Sequence, residues 1–151
     1  MMRRLKHKNI ANLHFVYEDE EKIHLVMDFI EGEPLIDVMV REDKIPDATC
    51  AKITYQLLEI IQHMNNCGIG HRDIKLENVL ISKDGSAKLF DFGLAADATH
   101  GFPAGPIMGS PGYIAPEMLW SEPCGFPVDM FSLGAMMYAA LFGKMPFKGS
   151  T

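Results

Sequence analysis

The 151 residues, nearly half of them apolar (48%), carry a formal net charge of −6; they suffice for one cored domain, or for most of a larger one that has been cut, and two domains are not expected. With no net basic field to hold phosphates a nucleic-acid partner is excluded, and the one basic run, Arg3 to Lys8, reads as a solvated helix face. The three scattered cysteines, Cys50, Cys67 and Cys124, fit neither a disulfide framework nor a zinc knuckle, and no stretch is long and apolar enough for a signal peptide or membrane span, so a soluble chain in a reduced, intracellular compartment is expected.

Taken in chain order, Leu13, Phe15 and Tyr17 alternate with other residues, the acidic turn "EDEEK" follows, and Ile23, Leu25 and Met27 alternate again. The period of two and the turn predict a hairpin. After "IEGEP" that period is lost, and from Asp47 a helical period runs through Ile53, Leu57, Ile60, Ile61 and Met64, with Asp47 as N-cap and Gly68 as the stop. Next, "NVLI" and "AKLF" flank "SKDGS", whose Asp84-Gly85 pair signals a second hairpin. Ala96 to Pro116, rich in Gly and Pro, is too long for an ordinary connection and is expected to be a functional loop. The final segment, "DMFSLGAMMYAALFG", is apolar on nearly all sides, as in a helix buried within a large domain. Strands come first and helices later, which predicts an α+β fold with the helical part dominant.

Within "HRDIKLEN", Asp73, Lys75 and Asn78 fall between the predicted helix and the next strand, and Asp91 ends an apolar strand just before a Phe-Gly turn. A carboxylate at such a strand end is expected to be partly desolvated unless a cation pairs with it. Asn78 and Asp91 offer the hard oxygen ligands that Mg²⁺ takes when it also binds substrate phosphates. A lysine for phosphate charge and a second aspartate free to accept a proton complete the parts for phosphoryl transfer.

In this order, "HRDIKLEN" (71–78), "DFG" (91–93), "APE" (115–117) and the helix opening at Asp129 with "DMFSLG" resemble the motifs of a eukaryotic protein kinase domain of serine/threonine type, over essentially every residue present. The resemblance implies a two-lobe fold, here truncated to the end of the small β lobe (1–27), a hinge (28–33) and most of the mainly helical large lobe (34–151). It implies ATP and Mg²⁺ as cofactors and a protein substrate. Carried over, Asp73 would orient the substrate hydroxyl and take its proton, Lys75 would neutralise the transferring phosphoryl group, and Asn78 and Asp91 would hold the metal. His71 and Phe92, which precedes Gly93, would pack in one hydrophobic column. Leu80 would lie under the adenine, Asp28, Phe29 and Ile30 would form the hinge, Met27 would guard the back pocket, and Glu33 would meet the ribose. Lys75 and "GSPGYIAPE" look like the serine/threonine type, with Ser110 bridging base and lysine, and "VMDFIEGEPL" resembles the calcium/calmodulin-dependent group. Glu77 and the acidic net charge suit a substrate with basic residues near its acceptor hydroxyl.

Several positions depart from the family pattern. Leu76 stands where Pro is common, Gly70 where a β-branched residue usually precedes the histidine, and Phe131 where Trp is usual. Arg72 usually pairs with a phosphorylated loop residue, but the position four before Ser110 is Pro106, so activation without that phosphate is expected, with Thr99 or Asp97 as substitute. No Gly-rich loop or Val-Ala-x-Lys strand is present, and the arginine that would pair with Glu117 is absent. The resemblance therefore implies a floor for phosphoryl transfer without its roof, and little or no kinase activity for these 151 residues alone. The competing reading is a silent kinase-like module that docks or regulates. Intact Asp73, Lys75, Asn78 and Asp91 count against it. A small-molecule phosphotransferase is disfavoured by Arg72, Lys75 and the "GSPGYIAPE" segment.

Overall fold

The computed structural model describes residues 1–102, 105–120 and 123–147. The first predicted hairpin forms, β1 (Leu13–Glu18) against β2 (Ile23–Met27), with Val16 opposite Leu25 and Glu18 opposite Ile23. Its turn is closed by the Asp19 carboxylate, which accepts the Glu21 and Lys22 backbone N–H groups at 2.9 and 2.8 Å. Short polar side chains favour turns for this reason. Both faces of the hairpin are open, with Phe15 58% and Ile23 66% exposed. Alternation alone would have given it one buried face.

The basic run is not a helix face. Only Met2–Arg4 make a 3-10 turn, Leu5 is buried, and Arg4 pairs with Asp97 at 3.2 Å. An apolar residue inside the run pulls it onto the body, and its charges find separate partners. Residues 9–11 then lie parallel to a later strand, with Leu89 N–H donating to the Asn9 carbonyl at 2.8 Å and Ala11 N–H to the Leu89 carbonyl at 3.2 Å.

Residues 28–31 have no regular structure, and β3 (Gly32–Pro34) follows, so the expected hinge end at Glu33 falls inside a strand. A helix absent from the sequence reading comes next, α1 (Leu35–Glu42). Pro34 holds its entrance, and Asp43, at φ 65°, ends it in the left-handed region. The long helix α2 (Asp47–Asn66) starts one residue earlier than expected. Pro46 is its N-cap, and Asp47 sits in the first turn without capping a backbone N–H. Its acid there still suits the helix dipole. Cys50, Ile53, Leu57, Ile60, Ile61 and Met64 recur at helical spacing and are buried. Gly68, at φ +70°, turns the chain out of the helix.

After α2 come β4 (Ile69–Gly70), β5 (Val79–Ser82), β6 (Ala87–Leu89) and β7 (Ala96–Asp97). The second predicted hairpin is β5 with β6, and β3 joins it as the other neighbour of β5. β4 pairs with β7, Gly70 opposite Ala96. Past the loop lie α3 (Pro116–Leu119) and α4 (Pro127–Phe142). Pro127 at the first turn and Gly143, at φ 65°, bound α4 in the usual asymmetric way. α4 buries Val128, Leu133, Met136, Ala139 and Ala140, but Met130, Tyr138 and Phe142 are exposed. It is therefore covered on one side only, unlike the wholly buried helix its composition suggests.

The main core gathers α2, α4, β5, β6 and the segment before α2, including Leu35, Ile45, Leu57, Ile74, Leu76 and Leu89. A second, smaller core under the long loop contains Ala98, Phe102, Ala115 and Val128. The loop that carries the charged cluster runs between β4 and β5, and its Ile74 and Leu76 anchor it in the main core.

Candidate active site

Asp129, in the first turn of α4, is the pivot of the loop. It is fully buried and its two carboxylate oxygens accept the backbone N–H groups of His71 and Arg72, each at 2.8 Å. Burial pushes its carboxyl pKa up, and those two N–H groups with the nearby Arg72 charge pull it back. A carboxylate here satisfies two donors that the turn leaves without strand or helix partners. Arg72 needs that support, because its φ of 67° lies in the left-handed region.

His71 is wholly buried and meets Phe92 edge-on, ring centroids 4.9 Å apart. Its Nδ1 faces the Asp73 backbone N–H at 3.3 Å, and burial lowers its pKa, so it stays neutral. The ring links the loop to the Phe92-Gly93 turn through packing.

Asp73, 9% exposed, is surrounded by donors. The Ser110 hydroxyl donates to Oδ1 at 2.8 Å, the Asn78 amide to Oδ2 at 3.1 Å, and Lys75 Nζ lies 2.9 Å from Oδ2. Lys75 Nζ also donates to the Ser110 hydroxyl at 2.7 Å. Ser110 thus touches both the aspartate and the lysine, which also meet each other directly. Burial opposes the charge on Asp73, but hydrogen bonds from Lys75, Ser110 and Asn78 outweigh it and hold the carboxyl below its ordinary pKa.

Asn78 is buried and also ties the loop to itself, its amide donating to the Asp73 carbonyl at 2.9 Å. Both amide donations go to Asp73, which leaves the side-chain oxygen for another group. Asp91 differs from expectation. It is exposed, with φ 59°, and its carboxylate accepts the Gly93 N–H at 3.1 Å. The left-handed backbone takes it off the strand direction at the end of β6, so it escapes the desolvation predicted for a strand end. Among the described residues no group of three or more His, Cys, Asp or Glu side chains could hold a metal ion.

The remaining predicted residues scatter around this centre. Leu80, half-buried in β5, stands opposite Pro34 and Lys88. Met27 ends β2, Ile30 is half-buried and Phe29 is 88% exposed. Asp28 turns toward β1. It accepts the Asn12 side-chain amide at 2.6 Å and backbone N–H at 3.0 Å, and His14 Nε2 lies 2.7 Å away. Glu33 forms a forked pair with Arg41, at 2.5 and 3.0 Å. Glu117, half-buried in α3, makes no ion pair among the described residues. Neither Thr99 nor Asp97 reaches the Arg72 guanidinium, since Asp97 is engaged by Arg4 and the Thr99 N–H.

One contact was not read from the sequence. The Arg72 guanidinium lies over the ring of Phe102, 5.0 Å from its centroid, and its Nε donates to the Leu94 carbonyl at 2.8 Å. The only sequence signal was Gly70, two residues before Arg72, in a place where the family usually has a bulky residue.

The whole chain, residues 1–151, matches the protein kinase domain family. Over 145 residues it is 41% identical to the serine/threonine-protein kinase PEPKR2 of Arabidopsis thaliana, covering 96% of this chain and 31% of that protein. Over 148 residues it is 38% identical to the serine/threonine-protein kinase DCLK3 of Mus musculus, covering 95% of this chain and 18% of that protein. It is 36% identical over 150 residues to the calcium/calmodulin-dependent protein kinase type 1 of Macrobrachium nipponense, covering 97% and 43% respectively. The chain belongs to the protein kinase domain family, and its relatives are serine/threonine kinases. It spans between about a fifth and two-fifths of the length of these curated relatives. No helix among the described residues is long and apolar enough to cross a membrane.

Proposed function

We propose that this chain forms the phosphotransfer floor of an intracellular serine/threonine protein kinase, which moves the γ-phosphoryl group of ATP to a protein hydroxyl. The observation that carries this reading is the closed set of Asp73, Lys75, Ser110 and Asn78, with every pair above within 3.1 Å. Asp73 is the proton acceptor. Its depressed pKa keeps it charged near neutrality, and the hydroxyl it orients becomes a better nucleophile as its proton moves to an Asp73 oxygen. Lys75 supplies positive charge beside that oxygen and toward the transferring group. Ser110 braces the Asp73–Lys75 ion pair by bonding to both partners.

Asn78 and Asp91 are the residues that would hold Mg²⁺. The donor set fits: one amide oxygen and one exposed carboxylate leave most positions to phosphate oxygens and water, as Mg²⁺ prefers. When bound, the ion neutralises charge on the phosphates. Met27, Asp28 and Ile30 border the nucleotide through the backbone of 28–31, and Leu80 supports the base. Asp28 and Glu33 act in this reading as struts, since their carboxylates are already engaged by Asn12 with His14 and by Arg41. Residues 1–27 belong to the small lobe, 28–33 to the hinge and 34–151 to the large lobe. Exposed Glu77 favours a basic residue near the acceptor.

The test is phosphate transfer from ATP with Mg²⁺ to a panel of serine and threonine peptides by the intact protein. Asp73→Asn, which keeps the shape and loses the base, is expected to lower kcat by about 10²–10⁴-fold. The 151 residues alone, without a glycine-rich cover for the phosphates, are expected to transfer little or none. An intact protein no faster than Asp73→Asn would sink the enzymatic reading and leave a binding module.

A further inference from the structure

Phe102 is 2% exposed although it lies in the long loop. Two features seat it. Its backbone forms an antiparallel bridge with Cys124, the Phe102 N–H donating to the Cys124 carbonyl at 2.6 Å and the Cys124 N–H to the Phe102 carbonyl at 3.2 Å. Its ring points at Gly70, where an added β-carbon would collide with Cζ at the tip of the ring. The slot exists because residue 70 has no side chain.

The same ring lies under the Arg72 guanidinium. That cation is partly buried, and burial lowers its pKa, yet no carboxylate pairs with it among the described residues. Asp129 accepts its backbone N–H and favours its charge from nearby, but makes no hydrogen bond or ion pair with the guanidinium. Among the described residues the direct contacts of the guanidinium are the Leu94 carbonyl and the electron-rich ring face. A desolvated cation gains more from an aromatic face than an exposed one does. Arg72 adjoins Asp73 in the chain and has a strained φ, so whatever fixes its side chain fixes the orientation of the peptide leading into Asp73.

We propose that Phe102 is a positioning residue for the reaction, a built-in aromatic counterpart that fills the Gly70 slot and holds Arg72, so that the loop carrying Asp73 is set in its working arrangement without an added anion. The proposal rests on the reading of Asp73 as the proton acceptor. It also accounts for a loop that has no Ser, Thr or Tyr from Gly105 to Gly109, since no acceptor of phosphate is needed there to hold Arg72.

The experiment compares intact wild type with Phe102→Leu, Phe102→Ala, Gly70→Val, the double variant Gly70→Val/Phe102→Ala, and Asp73→Asn. Thermal midpoint, kcat and KM for ATP are measured on each. Phe102→Leu keeps much of the packing and removes the ring face, so a near-native midpoint with kcat down about five- to thirtyfold and KM little changed is expected. Gly70→Val and Phe102→Ala each lower both midpoint and kcat. The double variant, in which valine occupies the vacated slot, regains midpoint but not kcat, because nothing faces Arg72. Phosphatase treatment of wild type is expected to leave kcat unchanged.

A merely structural role predicts that the double variant recovers kcat together with stability, and that result overturns the proposal. So does a Phe102→Leu protein as fast as wild type, or a phosphatase-treated wild type that loses activity. A wild type no faster than Asp73→Asn removes the phosphotransfer reading itself, and the proposal falls with it.

Discussion

The hairpin of β1 and β2 and the loop between β4 and β5 are both held by polar side chains, and they differ in how far along the chain those side chains reach. In the hairpin, Asp19 bonds residues two to five positions away, and the groups stay in water. In the loop, Asp129 reaches back 57 and 58 positions and Ser110 reaches 37, to groups that are buried or partly so. Local contacts close a turn at little entropic cost but add little, because water competes for the same groups. Long-range contacts to buried groups are made only when the whole domain has folded, and each unsatisfied group they would leave behind is costly. The hairpin is thus a structure the local sequence writes, and the loop is one that the fold enforces.

The sharpest way to break that contrast is Asp129→Ala. It strips the acceptor from two N–H groups at once, in a site that is 0% exposed, and about 2–5 kcal/mol of stability is expected to go. Asp129→Asn retains one acceptor and should lose roughly half as much by the same reasoning. Urea denaturation of the intact protein measures both. A loss from Asp129→Ala within error of zero would mean that water replaces the carboxylate, and the loop would be no more enforced than the hairpin.

Ser110→Ala acts at one remove. The hydroxyl both donates to Asp73 and accepts from Lys75, so its loss takes one contact from each and lets both side chains shift within their direct 2.9 Å ion pair. A fall of about ten- to hundredfold in kcat with KM for ATP unchanged is expected, in line with hydrogen bonds to charged groups. Ser110→Thr, which keeps the hydroxyl, should recover much of it. Equal kcat in all three proteins would show that the bridge is incidental.

Acid provides a milder probe. The folded-state pKa of Asp73 is depressed, so its contribution to stability is fully present above the unfolded value, about 3.9. It is lost as pH falls through the lower folded value. The stability gap between wild type and Asp73→Asn should therefore be constant from neutrality down to about pH 4 and narrow below it. A gap that narrows already at pH 6 would point to a different titrating group.

The same distinction decides what could be read from sequence. Both hairpins, α2 and its buried residues follow from period and turn chemistry, which are local. The loop of the candidate site was legible because its residues cluster within "HRDIKLEN" and match a known order of motifs. What escaped was too short to show a pattern, lay in the local backbone twist, or depends on contacts between distant segments. Helix α1 was missed because Leu35, Val38 and Met39 offer only two turns of pattern after Pro34. The exposure of Asp91 follows from a backbone twist that no periodicity encodes. The Gly70–Phe102 fit joins residues 32 positions apart, and the glycine alone showed only as a departure from the family pattern.

The smallest effect is expected at the hairpin tip. His24 Nε2 lies 2.7 Å from the Asp19 carboxylate, and a hydrogen bond from His24 is the main reason that carboxyl is lowered from its ordinary value. Both side chains are more than half exposed, so water and salt screen the pair, and many such surface pairs contribute nothing measurable. His24→Ala should leave the urea midpoint of the intact protein unchanged within error, at low and at high salt alike. Asp19→Ala is the stronger variant of the two, because it also removes the acceptor that closes the turn on Glu21 and Lys22. If His24→Ala proved as damaging as Asp129→Ala, the reach of a contact along the chain would have no bearing on its worth, and the two regions would be held by the same physics after all.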